Sequence, residues 1–293
     1  MMAFSYDSAI AYRTPWQPGH YDARDVAIYT LGVGLGHDPM DERALDFLLE
    51  TRGPRVLPSL ATTLARSITR DLGLDMTGVV HAAQRTDIPA PLPPEATFVW
   101  QAAVSAIIDK GPGKGAIVAF DTTARLAEDG PELFVLRNTL LARRDGGCGG
   151  PSVPSAVRNT VPARAVDHVH ETRTRPEQAL LFRLNGDLNP LHAEPAAART
   201  AGFRRPILHG LCTYGIACRA LVETLCGFNP ARMRRFEGRF SAPVYPGDTI
   251  ATEIWSDNDG ARFRCRVPAR DVTVMDDGVC ILAPQAESLA PHV

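Results

Sequence analysis

One apolar stretch limits what this chain can become. From residue 211 to 227, Leu211, Gly215, Cys218, Leu221, Val222 and Leu225 recur near helical spacing, and only Arg219 and Glu223 carry charge. A helix so apolar must be covered on most of its sides. Small residues at Gly215, Ala217 and Cys218 let it lie close to a sheet, and Gly227 supplies a C-terminal stop.

Beyond that helix the period changes to two. Phe236, Gly238, Phe240 and Ala242 face one way while Arg235, Glu237, Arg239 and Ser241 face the other, the pattern of a half-buried strand. Pro246-Gly247-Asp248 marks a turn. Ile250, Thr252 and Ile254 then alternate with Ala251, Glu253 and Trp255, and Phe263, Cys265 and Val267 with Arg262, Arg264 and Arg266. A last strand is expected over 272–282.

The same arrangement occurs earlier, more faintly. Val56-Leu57-Pro58-Ser59-Leu60 leads into an apolar-periodic segment, 60–72, read as a helix ended by Gly73. Strands are expected over 98–108, 116–126 and 133–142, separated by Gly/Pro-rich turns at 111–115 and 128–131. Leu57 to Glu95 spans 38 positions and Leu208 to Asp248 spans 40, each pair ending in a turn before a strand, which suggests a duplicated unit. Residues 145–154, dense in Gly and Pro, form the natural linker, giving domains 1–154 and 155–293. Two antiparallel sheets, each wrapped around a long central helix, make the α+β architecture called a double hot dog. Spacing alone supports only a duplicated α+β chain.

A chain of 293 residues with 45% hydrophobic content can bury a core of this size. Its formal charge is −2 with Lys and Arg dispersed, so neither a nucleic-acid footprint nor a polybasic membrane anchor is present. The start, Met1-Met2-Ala3-Phe4-Ser5, lacks the basic and apolar regions of a secretory signal, and no later run approaches ~18 apolar residues. A cytoplasmic location is expected. The six cysteines include no C-x-x-C pair, and three fall inside the apolar helix, as buried structural thiols do.

Chemistry concentrates in Gly186-Asp187-Leu188-Asn189-Pro190-Leu191-His192. A short helix over 176–184 must end here, because Gly and Asn-Pro break regular structure, and Glu194-Pro195 opens another through Thr200. Standing alone, Gly-Asp-x-Asn-Pro reads as a capping turn. Here a carboxylate, a carboxamide and an imidazole fall within six positions, which suits a site that holds one water and moves its proton. Downstream, His209-Gly210 stands where the long helix begins, offering backbone N–H groups to a developing oxyanion.

These residues resemble a known signature, that of the MaoC-like or R-specific enoyl-CoA hydratases, also called hydratase 2. The resemblance covers 182–198, Ile207-Leu208-His209-Gly210-Leu211 and Tyr245-Pro246-Gly247-Asp248-Thr249. More weakly, 25–34 resembles the start of the two-domain members. The resemblance implies that Asp187, Asn189 and His192 hold and activate water, and that the Gly210 amide stabilises a thioester oxyanion. It implies hydration of trans-2-enoyl-CoA to the (3R)-3-hydroxyacyl thioester in fatty acid metabolism, and a degenerate first half that makes room for the acyl chain. No organic cofactor or metal is called for, and coenzyme A enters as part of the substrate. Asn185 departs from the small hydroxyl residue usual before Gly186. A dehydratase acting on acyl-carrier-protein thioesters and a non-catalytic thioester-binding subunit remain open, as do a monomer and a homodimer.

Other marked residues have plainer readings. Gly36-His37-Asp38-Pro39 lacks the D-x-N-x-x-H spacing. His168 and His170 share one side of an expected strand, with no third metal ligand at a supportive spacing. His209 reads equally as a site residue or as a buried histidine bonded to backbone. Arg204, Arg205, Arg232, Arg234 and Arg235 are candidates for coenzyme A phosphates, against a default of solvated surface.

Overall fold

The alternating runs form strands. The computed structural model describes residues 4–152 and 158–284. The strands are β1 (Gln17–Tyr21), β2 (Val79–Asp87), β3 (Ala96–Asp109), β4 (Ala116–Arg125), β5 (Glu132–Ala142), β6 (His168–Arg173), β7 (Met233–Phe240), β8 (Thr249–Asp257), β9 (Gly260–Val267) and β10 (Val272–Leu282). The helices are α1 (Tyr6–Ile10), α2 (Ala23–Gly32), α3 (Glu42–Leu45), α4 (Gln178–Phe182), α5 (Pro195–Thr200) and α6 (Gly210–Leu225).

All ten strands pair antiparallel in one sheet, ordered β1-β3-β4-β5-β2-β7-β10-β9-β8-β6. Counted from its own first strand, each half runs first, third, fourth, fifth, second, so the halves repeat one topology and meet edge to edge at β2 and β7. The α6 side chain Tyr214 pins that seam. Its hydroxyl donates to the Phe236 carbonyl at 2.6 Å and lies 2.9 Å from the Thr86 hydroxyl. Arg235 pairs with Asp87 across the same seam at 2.6 Å. One hydrophobic core therefore runs through both halves, from Phe98 and Phe134 to Phe236 and Phe263.

Two expectations need correction. The two sheets are one continuous sheet, because the β2 and β7 edges satisfy each other's backbone groups. The helix expected over 60–72 is absent; the segment forms 3-10 turns at Pro58–Thr63 and Thr69–Leu72. Thr62 and Thr63 turn their hydroxyls onto the Ser59 and Leu60 carbonyls at 2.8 and 2.9 Å, in competition with an α-helical ladder. The turn at Pro58–Thr63 packs against α6 and strands β2 and β5. The only long central helix among the described residues is α6, lying against β6, β7, β8, β10 and that turn.

The Gly/Pro-rich stretch is partly anchored. The Asp109 carboxylate accepts from the amides of Gly111, Gly147 and Gly149 at 2.8, 2.8 and 3.1 Å. Those backbone N–H groups hold its carboxyl below the usual range. The expected boundary near 154/155 lies outside the described residues.

Candidate active site

Asp187 to His192 connects α4 to α5 through a turn fixed by its own polar groups. Gly186 ends the 3-10 turn Arg183–Asn185 that follows α4, at φ +103°, a left-handed conformation that favours glycine. Asp187 Oδ1 accepts from the Asn189 amide at 3.2 Å, and Asn189 Oδ1 from the Leu191 amide at 3.1 Å. Pro190 then presets the 3-10 turn Pro190–His192, which carries the imidazole inward. His192 is buried while Asp187, Asn189 and Gly210 are exposed, so the turn has a wet side and a dry side.

On the dry side two imidazoles meet. His192 and His209 stack at 3.8 Å between ring centroids, 28° from parallel, with Phe182 5.0 Å from His209. Nδ1 of His192 lies 2.9 Å from the Ile207 carbonyl and must donate to it, which leaves the Nε2 lone pair free to accept a proton. His209 Nε2 lies 3.2 Å from the Asp187 carbonyl and donates there. Burial depresses the His192 pKa, against the raising effects of the Ile207 bond and the Asp187 charge. Burial, helped by the neighbouring His192, pushes His209 down to about 4. Both rings are neutral near pH 7.

One carboxylate oxygen of Asp187 and one nitrogen each of His192 and His209 lie within 4.8 Å of one another. Such a set resembles a metal centre in composition only. A lone pair on an imidazole lies in its ring plane, and two near-parallel stacked rings cannot both aim theirs at one ion.

Gly210 is the first residue of α6. Its amide has no hydrogen-bond partner among the described residues, as expected of a helix N-terminus. A side chain there would begin 3.4 Å from the Phe240 ring. Because Gly210 directly follows His209, the free amide and the stacked imidazoles share one backbone segment.

The structure thus brings Asp187, His192 and His209 together, with Gly210 adjoining. Asn189 spends its carbonyl oxygen on the turn, leaving its amide nitrogen as the group able to reach a water. Asn185 does not enter the site. Its side chain donates to the Phe182 carbonyl at 2.9 Å, closing the end of α4. His170 is taken by Glu223 at 2.7 Å, and Arg219 holds the other oxygen of that carboxylate, also at 2.7 Å.

The sequence reading missed His81. It sits on β2 beside an irregularity in the β2–β5 register between His81 and Ala83, the kind of bulge that re-aims a side chain. Its ring lies 5.0 Å from Phe240, close enough to feel the Asp187 charge. Nε2 of His81 is buried without a partner, and burial pushes the ring down to about 4. Strand β2 reads H-A-A-Q-R-T-D from His81, with no apolar alternation to mark it.

Comparison with known proteins gives the family. Residues 157–277 match the family described as MaoC like domain, and residues 20–144 match that described as MFE-2 hydratase 2 N-terminal domain. Enoyl-CoA hydratase ChsH3 of Mycobacterium tuberculosis is 37% identical over 288 residues, covering 95% of this chain and 98% of that protein. The peroxisomal enoyl-CoA hydratase 2 of Arabidopsis thaliana is 36% identical over 292 residues, covering 93% and 94%. The crystal structure of a MaoC-like dehydratase from Phytophthora capsici superposes with a TM-score of 0.83 at 29% identity, covering 96% of this chain and 98% of that one. Matched in both halves and nearly end to end, this chain belongs to the MaoC-like, hydratase 2 family.

Proposed function

We propose that this chain is a hydro-lyase that adds water reversibly to trans-2-enoyl-CoA, giving the (3R)-3-hydroxyacyl thioester. The observation that carries the proposal is the Asp187 carboxylate within 4.8 Å of the His192 and His209 nitrogens, on a turn adjoining the unpartnered Gly210 amide.

An enoyl thioester is electrophilic at C3 only when its carbonyl oxygen is polarised. The Gly210 amide donates to that oxygen as it gains negative charge, an interaction worth on the order of 3 kcal/mol. A water held by Asp187, His192 Nε2 and the Asn189 amide nitrogen gives its proton to Asp187 as its oxygen bonds C3. The electron pair that develops at C2 then takes a proton from the Asp187 and His192 pair. Delivery of both groups from one side corresponds to syn addition.

The step is redox-neutral, so coenzyme A enters only as part of the substrate and the chemistry calls for no organic cofactor or metal. A non-catalytic thioester-binding subunit has no need of a carboxylate turned toward two imidazoles. We read the halves as two hot-dog units fused in one chain, the first having exchanged its helix for 3-10 turns and serving the acyl group. The cytoplasmic location belongs to the same reading and is supported by five buried free thiols. No helix among the described residues is long and apolar enough to cross a membrane.

The test is loss of enone absorbance with crotonyl-CoA, followed by chiral analysis of the product. Asp187→Ala and His192→Ala are expected to stay folded and lose turnover by orders of magnitude. Turnover near the unmutated level in both would overturn the assignment.

A further inference from the structure

We propose that Arg204, Arg205 and Tyr245 form a subsite for the phosphorylated adenosine end of a coenzyme A thioester, an inference that rests on the hydration reading above. Three of the five arginines singled out in the sequence are already engaged. Arg232 donates to the Leu225 carbonyl at 2.6 Å, Arg234 to the Ala231 carbonyl at 2.7 Å, and Arg235 to Asp87 at 2.6 Å. Arg204 and Arg205 are exposed, and among the described residues neither has a hydrogen bond or a carboxylate partner.

What they share is one aromatic ring. Their guanidinium carbons lie 4.7 and 5.1 Å from the Tyr245 centroid, and that of Arg270 lies 5.1 Å from it. Arg270 is balanced by Asp248 at 2.9 Å and by the Pro243 carbonyl at 2.7 Å. Three cations therefore crowd one half-buried ring with one carboxylate between them. Like charges gathered around one ring repel, and an anion seated among them relieves the repulsion. Planar guanidinium forks match phosphate oxygens two at a time, and guanidinium or tyrosine faces stack on a purine.

Placement links this patch to the thioester end of the site. Arg205 lies five positions before Gly210, at most roughly 17 Å of extended backbone. The Leu208 amide donates to the Val244 carbonyl at 2.8 Å, clamping the arginine segment to the tyrosine segment. Phe240, on the strand that leads into the tyrosine segment, lines Gly210. An arm anchored at the Gly210 amide and running along this clamped pair of segments ends among the arginines.

The probe is adenosine 3′,5′-bisphosphate, which carries the nucleotide without the reacting group. Calorimetric titration of the full chain is expected to show saturable binding that weakens roughly tenfold or more in Arg204→Ala/Arg205→Ala and with added salt. The ratio of kcat/KM for crotonyl-CoA over crotonyl-pantetheine is expected to fall by a similar factor in that variant. Absence of bisphosphate binding, equal binding by the variant, or an unchanged ratio would overturn the subsite. So would a loss confined to carrier-protein thioesters, which would mark an acidic protein surface as the occupant. Bisphosphate binding that depends on the two arginines, in a protein unable to hydrate crotonyl-CoA, would sink the hydration reading while leaving the nucleotide subsite standing.

Discussion

His209 holds the Asp187–His192 turn from beneath: its ring stacks on His192 at 3.8 Å while its Nε2 donates to the Asp187 carbonyl at 3.2 Å. One buried side chain thereby sets the backbone of the carboxylate and the plane of the imidazole. His209 also precedes α6, yet its side chain makes no capping bond. Replacement by leucine is therefore expected to spare the helix and loosen the turn. A misplacement of about 1 Å at reacting groups costs up to ~100-fold. His209→Leu should lower kcat for crotonyl-CoA by about 10- to 100-fold with near-UV circular dichroism retained. Unchanged kcat would show that the stack positions nothing.

Acid sensitivity follows from the same burial. His81 and His209 are both pushed down to about 4 and His192 is lowered, whereas an unfolded imidazole titrates near ~6.5. As pH falls through that value the unfolded chain binds protons that the folded chain refuses. Stability is then full above about 6.5 and is lost progressively toward about 4. Carboxylates held low, such as Asp71 by Arg66 and Asp167 by Arg164, begin to cost stability only as pH falls toward the unfolded carboxylate range near ~4. The urea midpoint at pH 5.0 is expected to lie below that at pH 7.5, with a smaller difference in His209→Leu. Equal midpoints would contradict neutral buried rings.

Local chemistry made the turn of the candidate site legible. Asp187 and His192 lie close in sequence, and a turn that starts at Gly186 and passes through Pro190 lets their side chains approach. Strands β3, β4, β7 and β9 were readable because one face is buried and the period is two. β1 was hidden by Pro18 and Gly19, and β2 by its polar composition. Their pairing is decided by partners far along the chain, β3 for the first and β5 with β7 for the second. The failed helix over 60–72 shows the opposite error. Apolar spacing allowed it, and threonine hydroxyls bonded to nearby carbonyls favoured turns. His81 was invisible for the reason β2 was, since its approach to Asp187 depends on that long-range pairing.

His81 gives a prediction in which stability and activity part company. Its Nε2 is buried without a partner, a cost that an apolar ring of similar shape removes. Polar groups left unsatisfied beside a site are commonly retained for function. His81→Phe is expected to leave Tm unchanged or higher and to lower kcat/KM for crotonyl-CoA at least severalfold. A variant less stable than the parent, with activity intact, would mark His81 as a packing residue.

At Gly215, α6 of the second half approaches α2 of the first and the residue that ends it. A Cβ there would come within 2.5 Å of Val33 Cγ1 and 2.6 Å of the Tyr29 hydroxyl, and both side chains are fully buried. Alanine improves intrinsic helix propensity by about 1 kcal/mol, but overpacking of this kind costs about 1–3 kcal/mol. Neither neighbour can retreat easily, because α2 is tied to α4 by Gln178, whose side-chain amide donates to the Gly32 carbonyl at 2.6 Å. Displacement of α2 reaches the site through rings: Tyr29 lies 6.0 Å from Phe182, and Phe182 lies 5.0 Å from His209. Gly215→Ala is expected to lower Tm by several degrees and to lower turnover at 25 °C, where the protein is still folded. Adding Val33→Ala, which removes the colliding methyl group, should restore part of both. Thermal unfolding and turnover of the single and double variants check the coupling, and additive losses in the double variant would refute it.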